Sequence, residues 1–503
     1  AATAAPAATV TAAPAAAGEA IDVRLTLSTF LFRESGADAA AIVDQGAPLT
    51  NASPVRRTFG DLRAEVAAEG LILDGRIRQT SSARYQAGAT AGGEYELRAL
   101  AYRLGGPRLA VTLGRQTIDA VGATRIDGLA ATAAVTAAVR ATVFAGALPA
   151  LGSRSVDTDY ARIRNLDGTD GGLLVPLTGG VGASYRTPEL HGDVGVAAVY
   201  VAQDVPDATD AQRRRVLATT AGYARLGAQG DAYHDVLVDL AGQGGARLTR
   251  ATVGVDARPD PALQLTGQVH HVSADLLEIT ARSALVDPDP LALGVVQNNL
   301  ALVRVSQDVA RAAVSVALAR QRFELSAAGA LRRRPEVRVA LADATGDVVF
   351  PESRAAEATL SVLDRHSLAG LRVQLTGTVT QPIATTAGAR ARGALARLAA
   401  GRAFAGDRGQ LDVDVMAERF TDLGSTGGMC MTSLDAFACF GTSTTTAAQV
   451  GALASWRVGR EWLVIADAHV GARAVRSVTV DGPLTWPTVT SIASFLRVQW
   501  RYR

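Results

Sequence analysis

The chain has no lysine; all 50 of its basic side chains are arginine. That excludes a P-loop, which needs a lysine on the nucleotide phosphates, and it excludes Schiff-base chemistry. The two cysteines form no paired-cysteine zinc spacing, and neither HExxH nor GxSxG occurs. An excess of one charge is missing too. The net is +2, so no strong field points to nucleic acid. Long apolar runs are also absent. Residues 128–151 come nearest, but Arg140 and Pro149 interrupt them and most are Ala or Thr, whereas a spanning helix needs about 20 predominantly apolar residues. Residues 1–18 lack the basic and apolar regions of a signal peptide, and residues 1–20 read as a disordered Ala/Pro-rich linker left after signal removal.

What the chain has is alternation. Ile21, Val23, Leu25, Leu27 and Leu31 oppose Asp22, Arg24, Thr26 and Ser28. Leu71, Leu73 and Ile77 oppose Asp74, Arg76 and Arg78, and Leu371, Val373, Leu375 and Val379 oppose Arg372, Gln374, Thr376 and Thr378. Leu411, Val413 and Val415 oppose Asp412 and Asp414, and the chain closes with Leu496, Val498, Trp500 and Tyr502 against Arg497, Gln499 and Arg501. A soluble sandwich also alternates, but its strands average ~5 to 6 residues, and these segments are roughly 10 to 14. Short Gly-, Asp- and Pro-rich turns alternate with longer polar stretches such as 35–54, 80–93, 152–174, 275–297, 335–353, 422–445 and 477–490. Together these predict an all-β chain: a single transmembrane antiparallel β-barrel over 21–503, of about 22 strands (range roughly 18 to 22), with no plug domain. An even strand number puts both termini on the periplasmic side of a Gram-negative outer membrane. The Ala-rich tracts 310–319 and 389–400 admit a helical alternative on propensity alone.

Charge is cheap toward a wet lumen and costs about 2 to 4 kcal/mol for Arg at the lipid midplane, so the charged faces are assigned to the interior. The pore-lining candidates on this ground are Arg24, Arg76, Arg78, Arg98, Glu94, Glu96, Arg372, Asp412 and Asp414. Ladders of both signs fit a water-filled pore or a cross-braced wall equally well. One stretch is more motif-like: Leu113-Gly114-Arg115-Gln116, a Gly-containing loop, then Arg125-Ile126-Asp127-Gly128. It resembles a hairpin of porin-like outer-membrane barrels, loosely those of the alginate-export type. The resemblance implies a lumen-facing polar constriction and transport of an anionic or small polar solute, with Arg115, Gln116, Arg125 and Asp127 as lining candidates. A structural Arg–Asp network bracing the hairpin is the alternative.

Cys430 and Cys439 share one loop and, in an oxidising compartment, are expected to form a disulfide. His270 and His271, adjacent on a strand, point to opposite faces and cannot chelate one metal. No cofactor and no metal are expected. Aromatics are only 5% of the chain; Trp456, Trp462, Trp500 and Tyr502, with Tyr95 and Tyr223, are the expected anchors at the membrane interfaces. The expected role is a non-enzymatic channel for passive or weakly selective passage of small hydrophilic solutes, in contact with outer-membrane lipid. The alternative is a non-conducting structural or secretion-machinery barrel that binds periplasmic or surface protein partners.

Overall fold

The computed structural model describes residues 21–35, 55–68, 70–83, 89–150, 155–160, 162–164, 170–203, 210–241, 245–273, 306–340, 347–350, 352–368, 370–385, 391–422, 443–479, 482–485 and 488–502. Within them the chain forms a closed antiparallel barrel of 22 strands. The first seven are β1 (Asp22–Ser35), β2 (Val55–Ala68), β3 (Leu71–Ala83), β4 (Ala89–Gly105), β5 (Leu109–Ile118), β6 (Thr124–Ala134) and β7 (Val139–Ala147). Then come β8 (Pro176–Arg186), β9 (Leu190–Val201), β10 (Arg214–Arg225), β11 (Gly230–Ala241), β12 (Arg247–Asp260), β13 (Leu263–Val272), β14 (Gln307–Leu318) and β15 (Phe323–Arg334). The last are β16 (Ser353–Leu368), β17 (Leu371–Thr385), β18 (Ala391–Phe404), β19 (Gly409–Asp422), β20 (Ser443–Val458), β21 (Trp462–Thr479) and β22 (Val489–Tyr502). Each strand pairs with its chain neighbours. β1 closes the cylinder on β22, from Val23 opposite Tyr502 to Ser35 opposite Thr490. Closure leaves no bare edge at this junction, so backbone groups there need no water. Among the described residues no separate plug domain is present, and helix is confined to single turns at Asp119–Val121, Val156–Thr158 and Asp210–Arg213.

The alternation resolves into two surfaces. Leu27, Leu113, Val181, Leu360 and Val379 lie exposed on the outside, while Ser28 and Asp61, one residue out of phase, are buried on the inside. The Ala-rich tracts are strands β14 and β18, because their alternate residues still meet two different environments and the ladder satisfies the backbone. Asp22 of β1 and Tyr502 of β22 lie at one end, where connections are tight: the Gly106 amide donates to the Leu109 carbonyl, and the Leu226 amide to the Gly230 carbonyl. We call this the turn end, and the other the loop end. The stretch 80–93 is shorter as a loop than its composition suggested. β3 runs to Ala83 and β4 begins at Ala89, held by bonds such as Thr80 Oγ1 to the Gly92 carbonyl at 3.0 Å. Its small residues pair well but carry no alternation to reveal a strand.

Four aromatics expected as anchors sit together at the turn end. Trp456 meets Phe404 at 5.2 Å, Trp500 lies 6.2 Å from both Trp462 and Tyr502, and its indole donates to Glu461. Tyr223 behaves differently. It lies on the inner face, stacked on His191 at 4.9 Å and bonded to Asp231, because its strand runs one residue out of phase with the anchor reading.

The face assignment is directly testable. Val379→Arg, on the outside at mid-strand, should cost about 2 to 4 kcal/mol of folding free energy in phospholipid vesicles, whereas its inward neighbour Thr380→Arg should cost far less. Urea titration of folding into vesicles measures both.

Candidate functional site

Among the described residues the wall is incomplete where β5 ends and β6 begins, and there the lumen acquires its internal structure. Pairing between β4 and β5 stops at Leu100 opposite Arg115, and pairing between β6 and β7 stops at Asp127 opposite Ala147. Beyond these points 116–126 pair only with each other, Gln116 with Ile126 and Ile118 with Thr124. The hairpin therefore leaves the wall. Its 3-10 turn, Asp119–Val121, touches β8, β9 and β10 instead of its own neighbours.

Glycine permits both the departure and the landing. Gly114, Gly128 and Gly146 lie in one register row across β5, β6 and β7, on the inward side. A Cβ on Gly128 would lie 2.5 Å from the Cα of Gly146, and Gly114 has φ +118°, where L side chains are strained. On the receiving wall, a Cβ on Gly182 would lie 2.7 Å from that of Ala120, and one on Gly195 would lie 2.6 Å from Val121 Cγ2. Ile118 and Ile126 turn toward the wall and pack with Val121, Ala130, Phe144 and Ala197. Val121 and Ile126 are fully buried. The alternate residues Thr117 and Arg125 turn away from that wall.

Arg115 holds the root. Its Nε donates to Asp127 Oδ1 at 2.6 Å, and its Nη1 donates to the Leu97 carbonyl at 3.0 Å and to Asp159. The Leu97 carbonyl lies on the part of β4 that β5 has abandoned, so the guanidinium caps an acceptor the ladder no longer serves. Segment 155–160 covers the rest of that edge. Ser155 Oγ accepts from Tyr95 N, and Tyr160 Oη donates to Asp127 Oδ2 at 2.6 Å. Burial first, then this bond to Asp127, pushes the Tyr160 phenol well above its ordinary range. Gln116 bonds to the Thr112 and Gly128 carbonyls. At the tip, burial raises the Asp119 carboxyl and Asp193 adds to the shift, while Arg186 opposes both.

The other candidates line two walls. On β1 to β4, Arg24 pairs with Glu65 at 3.0 Å, Arg76 with Asp61 and with Glu96 at 3.4 Å, Arg78 with Asp61 and Glu94, and Arg98 with Glu96 at 2.9 Å. On β17 to β19, Arg372 meets Asp412 at 2.8 Å, and Arg397 meets Asp414 at 3.1 Å. The half-exposed cross-strand pairs among these, such as Arg24 with Glu65 and Arg372 with Asp412, contribute roughly 0.2 to 1 kcal/mol each. The structure thus gathers Arg115, Gln116 and Asp127 at the hairpin root, Arg125 on its arm, and the remaining candidates into lattices on the inner face. Sequence reasoning missed Asp61, Asp159 and Tyr160, and it missed the small-residue landing strip at Gly182 and Gly195. The inward run of glycines in β8 and β9 was the available signal. Cys430 and Cys439 lie outside the described residues. His270 and His271 do part, His270 to Thr252 and His271 to Asp308.

No family model matches the chain, and no curated protein matches it by sequence. Among solved structures, a mutant ferric enterobactin receptor (PfeA) from Pseudomonas aeruginosa is similar at 10% identity, covering 96% of this chain and 81% of that one, with TM-score 0.50. OccAB4 from Acinetobacter baumannii is similar at 8% identity over 96% and 98% of the two chains, with TM-score 0.37. OccK9 (OpdG) from Pseudomonas aeruginosa is similar at 10% identity over 96% and 98%, also with TM-score 0.37. At such identities the likeness is one of fold: the chain folds as Gram-negative outer-membrane β-barrels do.

Arg115→Ala would leave Asp127 and Asp159 facing one another without a cation, a loss of about 3 to 5 kcal/mol of hairpin docking. Hydrogen exchange of 116–126 should accelerate while β15 to β22 stay protected. The docked tip should also respond to pH. Because the Asp119 carboxyl is raised, docking is strongest below the ordinary carboxylate range and weakens as pH rises through the raised value. A spin label at Ala123 should become more mobile with increasing pH, and Asp119→Asn should abolish the change.

Proposed function

We propose that the chain is an outer-membrane channel for passive or weakly selective passage of small hydrophilic solutes, with both termini on the periplasmic side and the loop end facing outward. The observation that carries this reading is the inner surface. Paired arginines and carboxylates on two stretches of the inner wall face a space that only water can fill at acceptable cost. A cylinder of 22 strands is wide, and the folded-in hairpin takes up one sector of it, against β8 to β10. The hairpin is thus a constriction, with Arg125 and Thr117 on its free side and the lattice of β1 to β4 on the wall. Charge of both signs favours polar solutes broadly over one sign of ion. No catalytic role is assigned to any residue.

Purified protein in a planar bilayer tests this. Stable unitary steps are expected, and replacing 116–126 with a tight turn should raise the unitary conductance roughly twofold by removing the constriction. A silent wild type that co-purifies with other proteins would favour a non-conducting scaffold instead.

A further inference from the structure

The lipid-facing surface is not the same at its two ends. On the inner face most arginines of β1 to β4 meet carboxylates, as in Arg63 with Asp74 at 2.8 Å, and Arg501 of β22 meets Asp22 at 2.7 Å. On the outer face at the loop end, Arg33 of β1, Arg392 of β18, Arg419 of β19 and Arg476 of β21 are exposed and have no carboxylate partner among the described residues. Their outward direction follows from register. Arg33 is in phase with exposed Leu27 and Leu31, and Arg392 with Leu398. Arg419 is in phase with Val415, and Arg476 with Val470. All four lie within three residues of the loop end of their strands. Two further outward arginines there, Arg333 and Arg354, share Glu352, at 2.8 and 2.6 Å. At the turn end, the same sector carries Phe404, Trp456, Trp462, Trp500 and Tyr502, with one outward arginine, Arg402.

We propose that Arg33, Arg392, Arg419 and Arg476 form a binding surface for the phosphate-bearing headgroups of the lipid leaflet at the loop end. An unpaired guanidinium is disfavoured in hydrocarbon and gains nothing from facing it. At the headgroup level its fork of donors matches phosphate oxygens, two bonds at a time. Hydroxyl and amide side chains share this level: Thr29, Thr58, Gln79, Ser81 and Ser494 line a shallow outer groove over Gly60 beside Arg33. They suit a sugar-bearing headgroup better than an acyl chain. The aromatic rings at the opposite end anchor by burying amphipathic rings at headgroup level, which needs no ionic pairing. The surface is independent of whether the lumen conducts.

The test uses the folded barrel in mixed micelles, with bisphosphorylated lipid A as probe and the dephosphorylated lipid as control. Retained lipid is counted by native mass spectrometry. The bisphosphorylated form should be retained at least about tenfold better, and the quadruple Arg→Gln variant should lose that preference. The quadruple Arg→Lys variant should keep most of it, and far-UV circular dichroism should show all three proteins folded. Equal retention of the two lipids by wild type, or an undiminished preference in the Gln variant, overturns the proposal. So does displacement by millimolar inorganic phosphate, which would make this a free-anion site. Unitary conductance should be unchanged in the Gln variant.

Discussion

Everything in this molecule depends on the hydrogen-bond ladder being closed. A sheet edge inside a bilayer leaves amides and carbonyls with nothing to bond, and the junction of β1 with β22 removes that edge. Once the ladder is continuous, side chains contribute little to holding the wall. Alanine, threonine and glycine can therefore occupy positions where a soluble core would demand large apolar residues. The composition that argued weakly for helix in β14 and β18 is affordable only because the backbone is satisfied by its neighbours.

The same closure sorts the charges. Inside, arginine and carboxylate meet across strands at hydrogen-bonding distance, and the pairs build lattices over several strands rather than isolated bridges. A lattice of both signs keeps its own net field small while leaving the surface wet. Outside, the middle of most strands is apolar, with Thr220 and His234 of β10 and β11 bonded to each other as an exception.

How much of this the sequence disclosed depended on whether a residue's neighbours were local. β1, β3, β17 and β19 were legible because each alternates strongly by itself, and the faces of Arg24, Arg76, Arg372 and Asp412 followed. The opening of β4, Ala-Thr-Ala-Gly-Gly, has no contrast between its faces and was read as loop. The hairpin 113–128 stood out as a motif, but its inward fold was hidden. The bend needs Gly114, Gly128 and Gly146 in one row, a fact of register across three strands. The partners of Arg115 were hidden for the same reason, since Asp159 and Tyr160 come from a long connection with no pattern of its own.

The departure of the hairpin leaves a seam. Along the part of β4 above Leu100, regular strand-to-strand bonding gives way to a side-chain clasp made by Arg115 and by segment 155–160. Elsewhere, parting two strands means breaking a whole series of evenly spaced backbone bonds together. Here a few individual contacts, each breakable alone, do that work. A cylinder strained sideways would yield first along this line, so the hairpin that folds inward also sets where the hoop is weakest.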